Sequence, residues 1–241
     1  MGTMGKPVDY AKMIQHKHRV VLFGEWQHSV GAYKVEVANA IRQLSKMGFN
    51  ELGMEMFPSD EQPMLDEFTK TGSNLNQVKD FLKQNWGSYE EKNGGYYQIV
   101  ISAKNSGLRI TGLDMPYDKY FTGSTKLKNE HFKRNKYMGE KIAKLVEKGR
   151  RVVVLMDIAH ALGRNSVKSF LIHKGIVPLV IKLDGGLRCE PKDTFCIHSE
   201  VSKNAIKNSA DQSRFVVPGT GASPYDSEAD FIIHLPEKEV R

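Results

Sequence analysis

Two hydrophobic periods alternate along the chain. Short, nearly unbroken apolar runs occur at "HRVVLFG" (18–24), "ELGMEMF" (51–57), "LRITGLD" (108–114), "RVVVLMD" (151–157) and "IVPLVIKL" (176–183), with weaker ones at "RFVVP" (214–218) and "DFIIHLP" (230–236). Each has the length of a buried strand. Their lack of in–out alternation predicts strands covered on both faces, as in a parallel sheet. Between them the spacing becomes helical. Val37, Ala38, Ile41 and Leu44 form one stripe over 31–47, and Gly48 stops it. A second helix is expected over 59–70, with Ser59 as N-cap and Gln62 at capping-box spacing. A third follows Asn74. A fourth spans 127–148, with Met138, Ile142, Leu145 and Val146 in phase and Gly149 behind them, and a short one lies in "NSVKSFLIHKG". Strand and helix in repeated alternation predict an α/β fold: a mostly parallel central sheet with helices on both faces, one domain over 1–241. The polar stretch 184–213 has neither period and reads as an insertion or excursion.

Composition narrows the classes. With 241 residues, 40% hydrophobic and 26% charged, the chain has the make-up of an ordinary globule. No stretch approaches the ~18 apolar residues of a membrane span. The N-terminus has no apolar core of a signal peptide and no lipobox cysteine, so neither a leader nor a lipid anchor is expected. Cys189 and Cys196 make no disulfide framework, and a cytoplasmic location is expected. The net charge is +7, with much of the excess between Lys126 and Arg151. A solvated helix face accounts for that run most simply. No nucleic-acid motif accompanies it, so nucleic acid ranks last among partners.

The polar residues change the picture. The first run ends in Gly24-Glu25-Trp26-Gln27-His28, the second carries Glu55, the third ends at Asp114 and the fourth in "MDIAH", with Asp157 and His160. Four successive strands thus place ionisable groups at their C-terminal ends, the edge of a parallel sheet where ligands bind. Each has a structural reading as well. Glu55 also fits a buried ion pair, Asp114 a turn, His160 a core histidine and Asp157 a cap for the following loop; for Asp157 the cap is favoured. Their common placement argues for one site. His16, His18, His131, His173, His198 and His234 lack it. Gly53 and Gly112, each two residues before a carboxylate, allow close backbone approach.

The motifs "LFGEWQHSVG", "LGMEMFPSDEQPMLDEF", "GLDMP", "RNKYMGEKIAKLV" and "VVVLMDIAH" have the order and rough spacing of the erythromycin esterase/ChaN/Tiki-like superfamily, which the chain resembles over about residues 18–183. The G-E-x-x-H form is similar to the esterase branch; "EMFPSDEQPMLDEF" is similar to the ChaN-type haem-binding branch. The resemblance implies an α/β core whose site gathers Glu25, His28, Glu55, Asp114 and His160. It adds Arg134, because "RNKYM" is similar to an R-D-x-x-M signature, although Asn135 stands where that signature has Asp. The superfamily includes ester hydrolases, metal-using membrane peptidases and haem binders.

Two functions are expected from these residues. The first is a hydrolase acting on an ester or amide of a small-molecule or peptide substrate. His28 is its general base toward water, assisted by Glu25 or Glu55, with Arg134 and His160 stabilising the oxyanion. No G-x-S-x-G elbow offers a serine nucleophile. A divalent metal on His28, Glu55 and His160 is one variant of this reading. The alternative is a haem or tetrapyrrole binder with an axial Tyr or His and an apolar slot, for which "NGGYYQ" offers Tyr96 and Tyr97. Segments 58–106 and 184–228 are expected to cover the site, with Trp26, Trp86, Tyr89, Tyr96 and Tyr97 as walls.

Overall fold

The computed structural model describes residues 6–90, 95–116, 127–185, 215–218 and 224–235. In chain order the elements are β1 (Lys6–Pro7), α1 (Tyr10–Met13), β2 (Val20–Glu25), α2 (Gly31–Lys46), β3 (Glu51–Pro58), a 3-10 turn (Ser59–Glu61), α3 (Gln62–Thr71), α4 (Leu75–Glu90), α5 (Tyr96–Asn105), β4 (Arg109–Asp114), α6 (Leu127–Glu147), β5 (Val152–Asp157), α7 (Ile158–Ala161), α8 (Val167–His173), β6 (Leu179–Gly185), β7 (Phe215–Pro218), α9 (Pro224–Glu228) and β8 (Phe231–Leu235). The strands form one sheet in the order β1-β7-β8-β6-β2-β5-β3-β4. The run from β8 to β4 is parallel throughout, and β7 pairs antiparallel with both β8 and β1. All seven strands anticipated from the sequence are present; the two-residue β1 was too short to signal.

Both faces of the sheet are covered, as the unbroken apolar runs imply. Val21, Phe23, Leu52, Met54, Val153 and Leu155 pack on one side with α2 and α5. Val20, Leu22, Val152, Val154 and Met156 face the other, against Met138 and Ile142 of α6 and Val167 and Leu171 of α8. Every residue of β2 and β3 is buried. Burial at that level stabilises the fold by roughly 25 cal/mol per Å² of apolar surface removed from water.

Two irregularities shape the carboxyl edge of the sheet. Between Met54 and Pro58 the pairing of β3 with β4 shifts register: Met54 faces Gly112 and Pro58 faces Asp114, so Glu55, Met56 and Phe57 bulge outward. A β-carbon at Gly112 would lie 2.6 Å from the Pro58 carbonyl oxygen and 2.9 Å from that of Phe57, so the bulge requires glycine there. The second irregularity is a break in α4 at Trp86 (φ −128°, ψ 18°). One expected cap is absent. Ser59 opens the 3-10 turn and shares a hydrogen bond with Tyr137 at 2.6 Å, while α3 begins at Gln62 without a side-chain cap. Gln62 instead holds β4, donating to the Ile110 carbonyl and accepting from the Gly112 N–H. The excursion expected over 184–213 lies outside the described residues from 186 on, as do Cys189 and Cys196; so does the side chain of Tyr89.

Candidate active site

β2 and β5 run in register, so Glu25 and Asp157 end them side by side. Glu25 is fully buried. The chain then turns, and the first turn of α2 brings Lys34, also fully buried, back onto it: Lys34 Nζ donates to Glu25 Oε2 at 2.7 Å and to the His28 carbonyl at 2.5 Å. The other Glu25 oxygen, Oε1, lies 2.7 Å from His28 Nδ1 and accepts the Tyr96 hydroxyl proton. That hydroxyl oxygen is itself 2.8 Å from His28 Nδ1. Burial alone would raise Glu25; the Lys34 ammonium and the His28 ring outweigh it and hold the carboxyl below its ordinary value.

With Nδ1–H fixed by Glu25, neutral His28 carries its lone pair on Nε2. Nε2 lies 3.4 Å from Asp157 Oδ2, and the side chain is 22% exposed. Burial pulls the imidazole down, but the hydrogen bond and charge of Glu25, with Glu55 and Asp157 behind it, raise it above its usual value. Trp86 stands edge-on to the ring at 5.0 Å between centroids, and the break in α4 lets its indole N–H cap the Met56 carbonyl of the bulge at 3.1 Å. Asp157 has the two roles that the sequence offered. Its Oδ1 caps α7 through the Ala159 N–H at 2.7 Å, and its Oδ2 faces His28; burial raises its carboxyl.

The bulge turns Glu55 into the space beside Asp157. Glu55 Oε2 accepts the Asp157 N–H at 2.7 Å, and Oε1 accepts from Arg134 Nη2 at 2.9 Å and lies 3.2 Å from His160 Nε2. Burial opposes its charge, but His160 and Arg134 prevail and hold Glu55 far below the carboxylate range. Arg134, leaning in from α6, grips Asp114 through Nε (3.0 Å) and Nη2 (2.6 Å). Asp114 is raised by burial in spite of that contact. Asn135 Oδ1 meets His160 Nδ1 at 2.5 Å, and its amide nitrogen donates to the Asn165 carbonyl at 3.0 Å. His131 stacks on His160 with centroids 4.0 Å apart.

The six residues singled out in the sequence thus meet at one sheet edge as two joined assemblies: Lys34–Glu25–Tyr96–His28, and Glu55–Arg134–Asp114–His160, bridged by Asp157. Their roles divide differently from the expectation. The contacts seen for Arg134 and His160 go to carboxylates and Asn135, so these residues hold Glu55. No three His, Cys, Asp or Glu among the described residues are arranged to hold a metal ion, and His28, Glu55 and His160 do not form a ligand set. Lys34, Asn135 and His131 are partners that the sequence pattern did not place here, and Tyr96, expected as a wall, instead hydrogen-bonds Glu25 and His28. Among the expected walls, Trp86 borders His28, while Trp26 packs on Tyr225 under the Lys182 ammonium and Tyr97 lies under Lys79.

Comparison with known proteins bears on the fold that carries these residues. Residues 13–126, just under half of the chain, match the family model described as haem-binding uptake, Tiki superfamily, ChaN. No curated protein matches the chain. Among solved structures, the erythromycin esterase EreC in its open conformation superposes with a TM-score of 0.66 at 10% identity, covering 93% of this chain and 92% of that one. ChaN of Campylobacter jejuni, solved with cofacial haem, gives 0.57 at 16% identity over 92% and 89%. The type III effector HopBA1 gives 0.59 at 15% identity over 91% and 88%. At these identities the likeness is one of fold.

Proposed function

With a domain of the ChaN/Tiki superfamily over residues 13–126 as premise, we propose that the protein is a hydrolase that activates water for attack on an ester or amide carbonyl. The observation that carries this reading is His28, whose Nδ1 is tied to a buried, ionised Glu25 and whose Nε2 lies 3.4 Å from Asp157 Oδ2 on a partly exposed ring. A carboxylate behind the imidazole fixes its tautomer and stabilises the imidazolium that forms. His28 Nε2 takes the proton of the attacking water. The hydroxide oxygen adds to the carbonyl carbon, and the imidazolium returns the proton to the leaving alkoxide or amine as the tetrahedral intermediate collapses. Lys34 and Tyr96 are positioning residues that keep Glu25 charged and aimed. Arg134, His160 and Asn135 do the same for Glu55, which in turn holds the Asp157 backbone against His28. The substrate in this reading is a small molecule or peptide, and the location is cytoplasmic. Among the described residues no helix is long and apolar enough to cross a membrane.

The test is turnover of a panel of carboxylic esters and short peptides by the purified protein. Base removal in His28→Ala should lower the rate on the order of 10²–10⁴ while the melting temperature holds. A variant that keeps near-normal turnover removes His28 from the mechanism.

The family match favours a second reading, haem or tetrapyrrole binding. Of the two tyrosines singled out for it, Tyr96 fits poorly. Tyr96 is fully buried, with its hydroxyl bound to Glu25 and His28, so an axial tyrosinate there would have to break the Glu25–His28 unit. Haemin titration decides the point: a saturable Soret band that survives His28→Ala but is lost in Tyr97→Phe would support this reading over hydrolysis.

A further inference from the structure

Apart from His131, Arg134 and Asn135, the basic run between Lys126 and Arg151 has no place in the site above, yet part of it is more than a solvated face. β4 is the last strand of the sheet, and its outer edge is already closed. Gln62 occupies the Ile110 carbonyl and the Gly112 N–H, and Lys141 Nζ donates to the Gly112 carbonyl at 2.6 Å. A peptide strand therefore cannot add there. What remains along that flank is a recess of about 200 Å³ lined by Gln62, Arg109, Thr111, Lys141, Lys144 and Lys148. Lys141 and Lys144 lie on α6 at i and i+3, and Lys148, directly after its last residue, continues the same side at i+7. Among the described residues none of the three forms an ion pair with a carboxylate. Arg109, by contrast, is held by Glu51 and Asp66, which fixes its guanidinium at the mouth of the recess and of a second hollow of about 350 Å³ bordered by Lys70 and Arg150.

We propose that this flank of β4 is a binding site for a small phosphorylated anion, held by Lys141, Lys144 and Lys148 with Arg109 at its mouth. Three cations without a carboxylate partner call for an anion of more than one charge, which a phosphoryl group supplies and a lone carboxylate does not. A recess this size, at about 30 Å³ per water, has room for a phosphoryl or diphosphoryl group. Lys141 adds a second argument. Burial, with the charges of Arg109 and Lys144, outweighs the nearby Asp60 carboxylate and pushes its ammonium down to about 8, a penalty that a bound anion would relieve. The recess lies beside the edge strand, away from His28, so the site is independent of the hydrolytic reading.

The experiment is calorimetric titration of the whole protein with inorganic pyrophosphate. Saturable binding is expected that weakens with salt and as pH rises past about 8, where Lys141 loses its proton. Lys144→Gln/Lys148→Gln should weaken it about tenfold or more, since each charge-assisted contact contributes roughly 1.5–3 kcal/mol. The exposed positions leave the melting temperature unchanged, and Lys144→Arg/Lys148→Arg should retain most of the affinity. Absence of saturable binding overturns the proposal. Equal binding by the double Gln variant does so too, as does capture of RNA or of phosphatidic acid vesicles without any response to pyrophosphate.

Discussion

His28 is held at both ring nitrogens by acidic neighbours, and under the proposed hydrolytic function this dictates how turnover should respond to pH. Its conjugate acid is stabilised above the ordinary value near 6.5, so the base form is populated only at higher pH. A plot of kcat against pH should therefore rise through an inflection above about 6.5. In Glu25→Gln the main stabilising charge is gone while burial remains, so the inflection should move to lower pH as the maximal rate falls. An inflection that stays in place would show that another group titrates. Three residues whose polar contacts in this site the sequence pattern did not give share one feature. Lys34 is in phase with Val37, Ala38 and Ile41; Tyr96 with Ile99, Val100 and Ala103; Asn135 with Met138 and Ile142. Each is a polar residue on the apolar stripe of its helix, where it must find a partner inside, because an unpaired buried donor costs several kcal/mol, roughly. A polar residue in phase with a buried stripe is thus the signal by which the chain marks such partners.

At the scale of elements, the bulge in β3 is the feature that makes two carboxylate assemblies into one site. Without it Glu55 would keep to the regular pleat beside β4. The bulge depends on Gly112, which leaves room for the Phe57 and Pro58 carbonyls, and on Trp86, which satisfies Met56. Gly112→Ala should cost on the order of 1–3 kcal/mol, as overpacking against backbone does, because neither carbonyl can swing away as a side chain would. A thermal melt checks this directly, and an unchanged melting temperature would mean that the bulge relaxes freely. Gly53→Ala is the comparison: its β-carbon would meet the Leu113 side chain at 2.8 Å, which can shift, so a smaller loss is expected.

Over the whole molecule, the buried charges link stability to acid. The carboxyls of Glu55 and Glu25 have folded values below their unfolded ones. The stability they contribute is complete above about pH 4.3 and is lost as pH falls toward their folded values. Asp114 and Asp157, raised by burial, act in the opposite sense and offset part of this. Glu55→Gln should therefore destabilise the protein on the order of 3 kcal/mol at neutral pH, as breaking a buried ion pair does, with a gap that narrows as pH falls below about 4. Urea unfolding at several pH values measures that gap, and a constant difference would mean that Glu55 is not charged in the folded state.

The alternation of apolar periods was enough to determine the α/β class and seven strands, because burial on both faces of a parallel sheet leaves its mark on every residue of a strand, and the polar residues beside those runs pointed to the carboxyl edge as the candidate site. It also placed Glu25, His28, Glu55, Asp114 and His160 at strand ends. The order β8-β6-β2-β5-β3-β4, the antiparallel β7, the register shift at Glu55 and the choice of partner for each charge were decided only in the tertiary structure. Periodicity records which residues are buried but not what they are buried against. Pairing of strands and charges joins residues far apart in the chain, such as Glu25 with Tyr96 and Glu55 with Arg134, and no local pattern encodes that distance.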